Sequence, residues 1–126
     1  MGQASSVDQQ LLSESLQRKE ISRISVSIKG YQTILEVADI VAIEANESYS
    51  HLHMSDGNVH LISKNLKHFE MLLAENPRFF RTHKSWIINL DSMEKYQRSS
   101  GDIILNGGLI AKLSKYRKEE FESVVK

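Results

Sequence analysis

From Ile24 onward the chain is cut into short strand-like segments, several of period two, and Gly30, Asp56-Gly57, Ser99-Ser100-Gly101 and Asn106-Gly107-Gly108 mark turns between them, a punctuation that leaves room for little except a mainly β fold. Ile24, Val26 and Ile28 alternate with Ser and Lys, Gly30 interrupts, and Tyr31 to Val37 resumes with β-branched and aromatic residues, which is a hairpin pattern. Asp39 to Glu44 reads as a further strand, left through the loop Ala45-Asn46-Glu47-Ser48. Asp56-Gly57 suits a two-residue type I′ turn, which would pair Met54 with Val59, His53 with His60, Leu52 with Leu61 and His51 with Ile62. On that register Leu52, Met54, Val59 and Leu61 form a core face, and His51, His53 and His60 share the other. Met93 to Arg98, the turn Ser99-Ser100-Gly101, Asp102 to Leu105, the turn Asn106-Gly107-Gly108 and Leu109 to Leu113 complete the strand pattern.

Two stretches break the period. After Ser63, Leu66, Phe69, Met71, Leu72 and Leu73 give one broad apolar helix face before Asn76-Pro77 ends it. Ser114 is placed to cap a last helix on which Tyr116, Phe121, Val124 and Val125 share a side. Upstream, Val7, Leu11, Leu12 and Leu16 recur at helical spacing, so residues 1 to 21 read as a linker or tail with a short amphipathic helix, and residues 22 to 126 as a single domain. Eight or more strands against two small helices make the fold class mainly β.

Composition removes several kinds of function. The 126 residues hold no cysteine, which excludes disulfides, thiolate metal sites and cysteine nucleophiles and makes the cytosol the default address. No apolar run approaches the roughly twenty residues needed to span a bilayer, so no membrane partner is expected. Sixteen basic and sixteen acidic side chains cancel, against a protein that coats nucleic acid by charge alone. The distribution is dipolar, however. Residues 1 to 60 carry four bases against eight acids and residues 61 to 126 twelve against eight, which favours one positive face.

Catalytic patterns do not assemble. Three imidazoles on one hairpin face would suffice for zinc, but no carboxylate stands ready as a general base and solvent-facing hairpins often carry histidine, so no metal is expected. Ser85 lies two residues from His83 without a nucleophile elbow or an orienting acid. Gly107-Gly108 lacks the spacing and the Lys-Ser/Thr of a phosphate loop, and Glu119-Glu120 reads as a solvated helix face. No enzymatic activity and no cofactor are expected.

The segment Phe79 to Leu90 is different in kind. Phe79, Phe80, Trp86, Ile87 and Ile88 are strand and core residues, so Arg81, His83, Lys84 and Ser85 between them are held on a rigid base. Two further polar segments match it: Asn46, Ser48, Tyr49, Ser50 and His51 leaving a strand, and Lys112, Ser114, Lys115, Arg117 and Lys118 following the last one. Short hydrogen-bonding groups and cations on three loops suit phosphate positioning and contact with base edges. Tyr49, Trp86 and Phe121 read as core. The rival reading is a β-rich protein-interaction or ligand- or metal-sensing module, whose loops meet a partner instead.

The chain resembles a LytTR-type (LytR/AlgR family) DNA-binding domain, the effector module of many bacterial response regulators. The resemblance rests on Ile43-Glu44-Ala45 before a polar loop, Ser55-Asp56-Gly57 in a hairpin, Asn65-Leu66-Lys67 opening a helix, Phe80 to Asn89, and the hairpin and aliphatic-Ser-basic step within Asn106 to Tyr116. It extends from about Ser22 to Val125. It implies an elongated antiparallel fold of small stacked sheets that inserts loops into the major grooves of double-stranded DNA at direct repeats, commonly as a pair, with a receiver domain upstream in the full-length protein. Residues 1 to 21 are too few to form that receiver. Carried onto this sequence, the contacts would be the loop Asn46 to Ser50, His83-Lys84 and Ser114-Lys115. Family members often carry Arg where this chain has Lys84 and Lys115. Lysine keeps the charge and loses the bidentate fork.

Overall fold

The computed structural model describes residues 21–125. The helical spacing noted over residues 7 to 19 lies outside them. Ten strands form three antiparallel sheets among the described residues. β1 (Arg23–Ile28) and β2 (Tyr31–Glu36) make a two-stranded hairpin. β3 (Ile40–Asn46), β4 (Tyr49–Met54), β5 (Val59–Ile62), β6 (Phe79–His83) and β7 (Trp86–Asn89) form the central sheet, in the order β5-β4-β3-β7-β6. β8 (Met93–Gln97), β9 (Asp102–Leu105) and β10 (Ile110–Lys112) form the third, in the order β10-β9-β8. The mainly β reading of the sequence is what the chain adopts.

The central sheet lies between two cores, and neighbouring residues of its inner strands go to opposite sides. Ile43 and Ile87 join Ile24, Val26, Leu52, Ile62 and the helix residues Leu66, Phe69 and Leu73. Ala42 and Ile88 join Trp86, Ile103, Leu105, Ala111 and Phe121. A strand buried on both faces gains nothing from alternation, which is why Ile40–Ile43 is an unbroken apolar run. Helix α1 (Leu66–Leu72) has seven residues, too few to be stable alone. Asn65 caps it by accepting from the His68 N–H at 3.0 Å, and Leu66 and Phe69 pin it to the first core. No helix among the described residues is long and apolar enough to cross a membrane.

The hairpin after β4 departs from the expected register by one residue. Leu52 pairs with His60, His51 with Leu61 and His53 with Val59, because the Met54 N–H donates to the Asn58 carbonyl across a three-residue turn, Ser55–Gly57. Gly57 takes a φ of 91°, and Asp56 holds both the backbone and side-chain nitrogens of Asn58 at 2.9 Å. A one-residue slip exchanges the faces of a strand. Val59 and Leu61 are therefore half exposed, Ile62 is the buried residue, and His60 leaves the face of His51 and His53.

The last helix is also shorter than the sequence pattern suggests. Ser114 caps a 3₁₀ turn, Lys115–Arg117, and helix α2 (Lys118–Val124) follows it. Phe121 is fully buried, whereas Tyr116 and Val124 stand out in solvent. Five residues of ideal helix would separate Tyr116 from Phe121 by about 140° in any case, so the two could not share a face. Met71 on α1 and Tyr49 on β4, read as apolar-face and core residues, are likewise exposed.

Candidate nucleic-acid interface

Two backbone hydrogen bonds bring the three polar segments to one end of the central sheet. The Ala45 N–H donates to the Ser85 carbonyl at 2.8 Å, so the β3–β4 turn at Glu47-Ser48 leaves the sheet beside the β6–β7 turn at Lys84-Ser85. The Ser114 N–H donates to the Thr82 carbonyl at 2.8 Å, which ties the segment after β10 to the far end of β6. Arg81, His83, Lys84, Ser114, Tyr116 and Arg117, with Glu70 from α1, line one groove of about 310 Å³. Loops far apart in sequence thus share a surface.

Arg81 holds that surface in shape. Its guanidinium donates to the His83 carbonyl at 2.7 Å, the Lys84 carbonyl at 2.7 Å and the Glu70 carboxylate at 2.8 Å. The planar fork thus closes the turn and anchors it to α1 at the same time. Arg81 is expected from the sequence either as a DNA contact or as scaffold; its donors so occupied and its charge matched by Glu70 favour the scaffold role. With those carbonyls drawn inward, Lys84 is exposed, with no ion-pair partner among the described residues.

His83 sits at the bulge between Arg81 and Trp86. Its Nδ1 accepts from the Ser85 N–H at 3.0 Å, which selects the neutral tautomer that carries its proton on Nε2. Burial, and then the charges of Lys84, Arg81 and Lys112, hold its pKa below the ordinary 6.5. The ring is a neutral donor beside a cation, and not a second cation. Thr82 next to it is fully buried, and its hydroxyl has no partner among the described residues.

On the third segment Ser114 Oγ accepts from the Tyr116 N–H at 3.1 Å, and its carbonyl accepts from the Arg117 N–H at 2.9 Å. These two bonds make the 3₁₀ turn, which sends Lys115 and Tyr116 outward. The Lys115 ammonium lies 5.5 Å from the Tyr116 ring centroid, within cation–π range. Arg117 lies 3.6 Å from Glu120 one turn on, in a loose exposed pair. Lys112 is ion-paired with Asp102, its cross-strand partner on β9, whose carboxyl it holds below the ordinary range. That pairing removes Lys112 from the free cations expected here.

On the first segment Asn46 and Ser48 are exposed, at the end of β3 and in the turn. Ser50 is fully buried and donates to the Lys64 carbonyl at 2.7 Å, so the structure withdraws it from the contact set. His51 is half buried on the strand face that also carries His53. His53 bonds to Glu44 at 2.9 Å and stacks on Trp86 with centroids 6.0 Å apart. No cluster of three metal-ligating side chains exists among the described residues, since the slipped register separates His60 from the other two.

The sequence pattern puts Tyr116 on the buried side of a helix, whereas it is exposed and lines this groove. The signal was its spacing, five residues before Phe121 and two after a capping serine, which fits a turn better than a helix face. Glu70 was missed too, and no local pattern marks a carboxylate whose partner lies on a strand eleven residues away.

Three antiparallel sheets with a partly unneutralised cationic end, built from loops and not from a projecting helix, define a β-rich domain with its polar turns gathered at one end of the central sheet. The model of the LytTr DNA-binding domain matches residues 31–126, and the chain belongs to that family. Its class is accordingly a DNA-binding domain and not an enzyme family. The fold is similar to the LytTr DNA-binding domain of a Bacillus cereus protein described as a methyl-accepting/DNA response regulator. The TM-score is 0.70 at 18% identity, over 83% of this chain and 97% of that one. No curated protein matches the chain by sequence.

Proposed function

We propose that this chain is the effector domain of a bacterial response regulator, controlling transcription by sequence-specific binding to double-stranded DNA. Residues 22 to 126 are the binding domain, with a receiver domain upstream in the full-length protein. The observation that carries the reading is the convergence of the Asn46–Ser48, His83–Lys84 and Ser114–Lys115 segments on one end of the sheet, with Lys84 and Lys115 exposed and bound to no carboxylate among the described residues. Turns of this size enter a major groove, where lysine reaches phosphates or guanine acceptors and the neutral His83 donates through Nε2. The likeness to the B. cereus domain, described as part of a response regulator, supports the same reading. The overall charge is zero, so one domain binds modestly, and two copies side by side on direct repeats supply tight binding.

The test is a selection of bound duplexes from random DNA, followed by titration of the selected site over a range of salt. Lys84→Ala and Lys115→Ala should each weaken binding and lower the salt slope by about one unit. Parent-like affinity and slope in both variants would remove the two lysines from the interface. A selection that enriches no sequence would remove the function.

A further inference from the structure

Tyr116 is the most exposed of the large hydrophobic side chains among the described residues, at 88%. Its backbone is nevertheless held, the N–H donating to Ser114 Oγ at 3.1 Å inside a turn closed by the Arg117 N–H on the Ser114 carbonyl. It lines the groove that also holds His83, Lys84 and Arg117, and its ring carries the Lys115 ammonium at 5.5 Å. A bulky aromatic held rigidly in water among cations is prepaid for binding, because little of its backbone freedom remains to be lost on contact. The surrounding charges choose the ligand. Lys84 and Lys115 favour an anion, while Glu70 is already engaged with Arg81 and Arg117 is loosely paired with Glu120.

We infer that Tyr116 is a DNA-contacting residue that grips the sugar–phosphate backbone: its hydroxyl donates to a phosphate oxygen, its ring packs on the adjoining deoxyribose, and its face steers the Lys115 ammonium to the same strand. The inference rests on the DNA-binding reading and names a contact which that reading does not require. Tyrosine is suited to this role because it offers a donor and an apolar surface without adding charge, so it strengthens binding without distinguishing one sequence from another.

The experiment compares the parent with Tyr116→Phe, Tyr116→Ala and Lys84→Ala, on a duplex selected from random DNA and on an unrelated duplex of equal length. The side chain is outside the core, so melting temperatures should match the parent. Tyr116→Ala should lose about tenfold in affinity on both duplexes, and Tyr116→Phe a smaller part of that with the parent's salt slope, since no charge is removed. Parent-like binding by both tyrosine variants while Lys84→Ala is weakened overturns the inference and leaves the DNA-binding reading standing. A loss confined to the selected duplex overturns the backbone assignment, because it marks a base contact. A parent that binds neither duplex overturns both.

Discussion

The hairpins β4–β5 and β6–β7 begin from similar sequences, each with histidines and small polar residues between apolar strands, and they end with opposite fates. In the first, a three-residue turn shifts the register, so His60 separates from His51 and His53, while Glu44 and Trp86 occupy His53. In the second, Arg81 closes a two-residue turn from beneath and leaves Lys84 at the surface. Both tips hold polar groups. The difference lies in which groups have their hydrogen bonds and charge satisfied inside the fold, and a group so satisfied has little left to offer a ligand. Lys84 stays free because another side chain, Arg81, does the internal bonding of its turn.

The comparison can be broken most forcefully at Trp86, which pairs with His83 on one side and stacks on His53 on the other. Trp86→Ala should cost about 3–5 kcal/mol in urea unfolding, because a buried indole serving both hairpins leaves a cavity between them. Arg81→Ala acts on the second hairpin alone. Two carbonyls and the Glu70 carboxylate would lose their donor, a loss of about 1–3 kcal/mol that the same unfolding measurement reads, and the loosened turn should weaken DNA binding along with it. If that variant retains parental stability and affinity, the turn does not depend on the guanidinium.

Acidity should produce a smaller change, again confined to the second hairpin. Folding holds the His83 pKa below 6.5, so the unfolded chain takes up a proton more readily. The contribution of His83 is therefore fully present above the unfolded value and is lost as pH falls from there through the folded value. Unfolding followed between about pH 7 and pH 5 should show a slope that His83→Gln reduces, and an unchanged slope would place its origin elsewhere. The smallest expected effect belongs to the first hairpin. One equivalent of zinc should leave the melting temperature unmoved, and His60→Ala should leave DNA affinity at the parental level. A stoichiometric zinc shift would restore the metal-sensing alternative that the register argues against.

Much of this molecule could be read from local chemistry. The Gly30 turn, the strand run over Asp39 to Glu44, the capping serine at Ser114, and the apolar anchors around the β6–β7 turn all act within a few residues of where they stand. The three polar segments could be named for the same reason. Their meeting could be expected only through family resemblance, since it depends on the bonds from Ala45 to Ser85 and from Ser114 to Thr82, which cross between strands. The fates of single side chains were less accessible. Ser50 and Lys112 look as available in sequence as Ser48 and Lys115, yet the carbonyl of Lys64 takes one and the carboxylate of Asp102 the other.

Sequence alone therefore determined that this chain is a β protein with three polar segments, because periodicity and turn chemistry are short-range properties of the backbone. Tertiary structure decided the register of the β4–β5 hairpin, the retirement of Arg81 into the scaffold and the exposure of Tyr116. Each of those turns on partners brought together by folding, and whether a polar group is free or spent is settled only when its partner arrives.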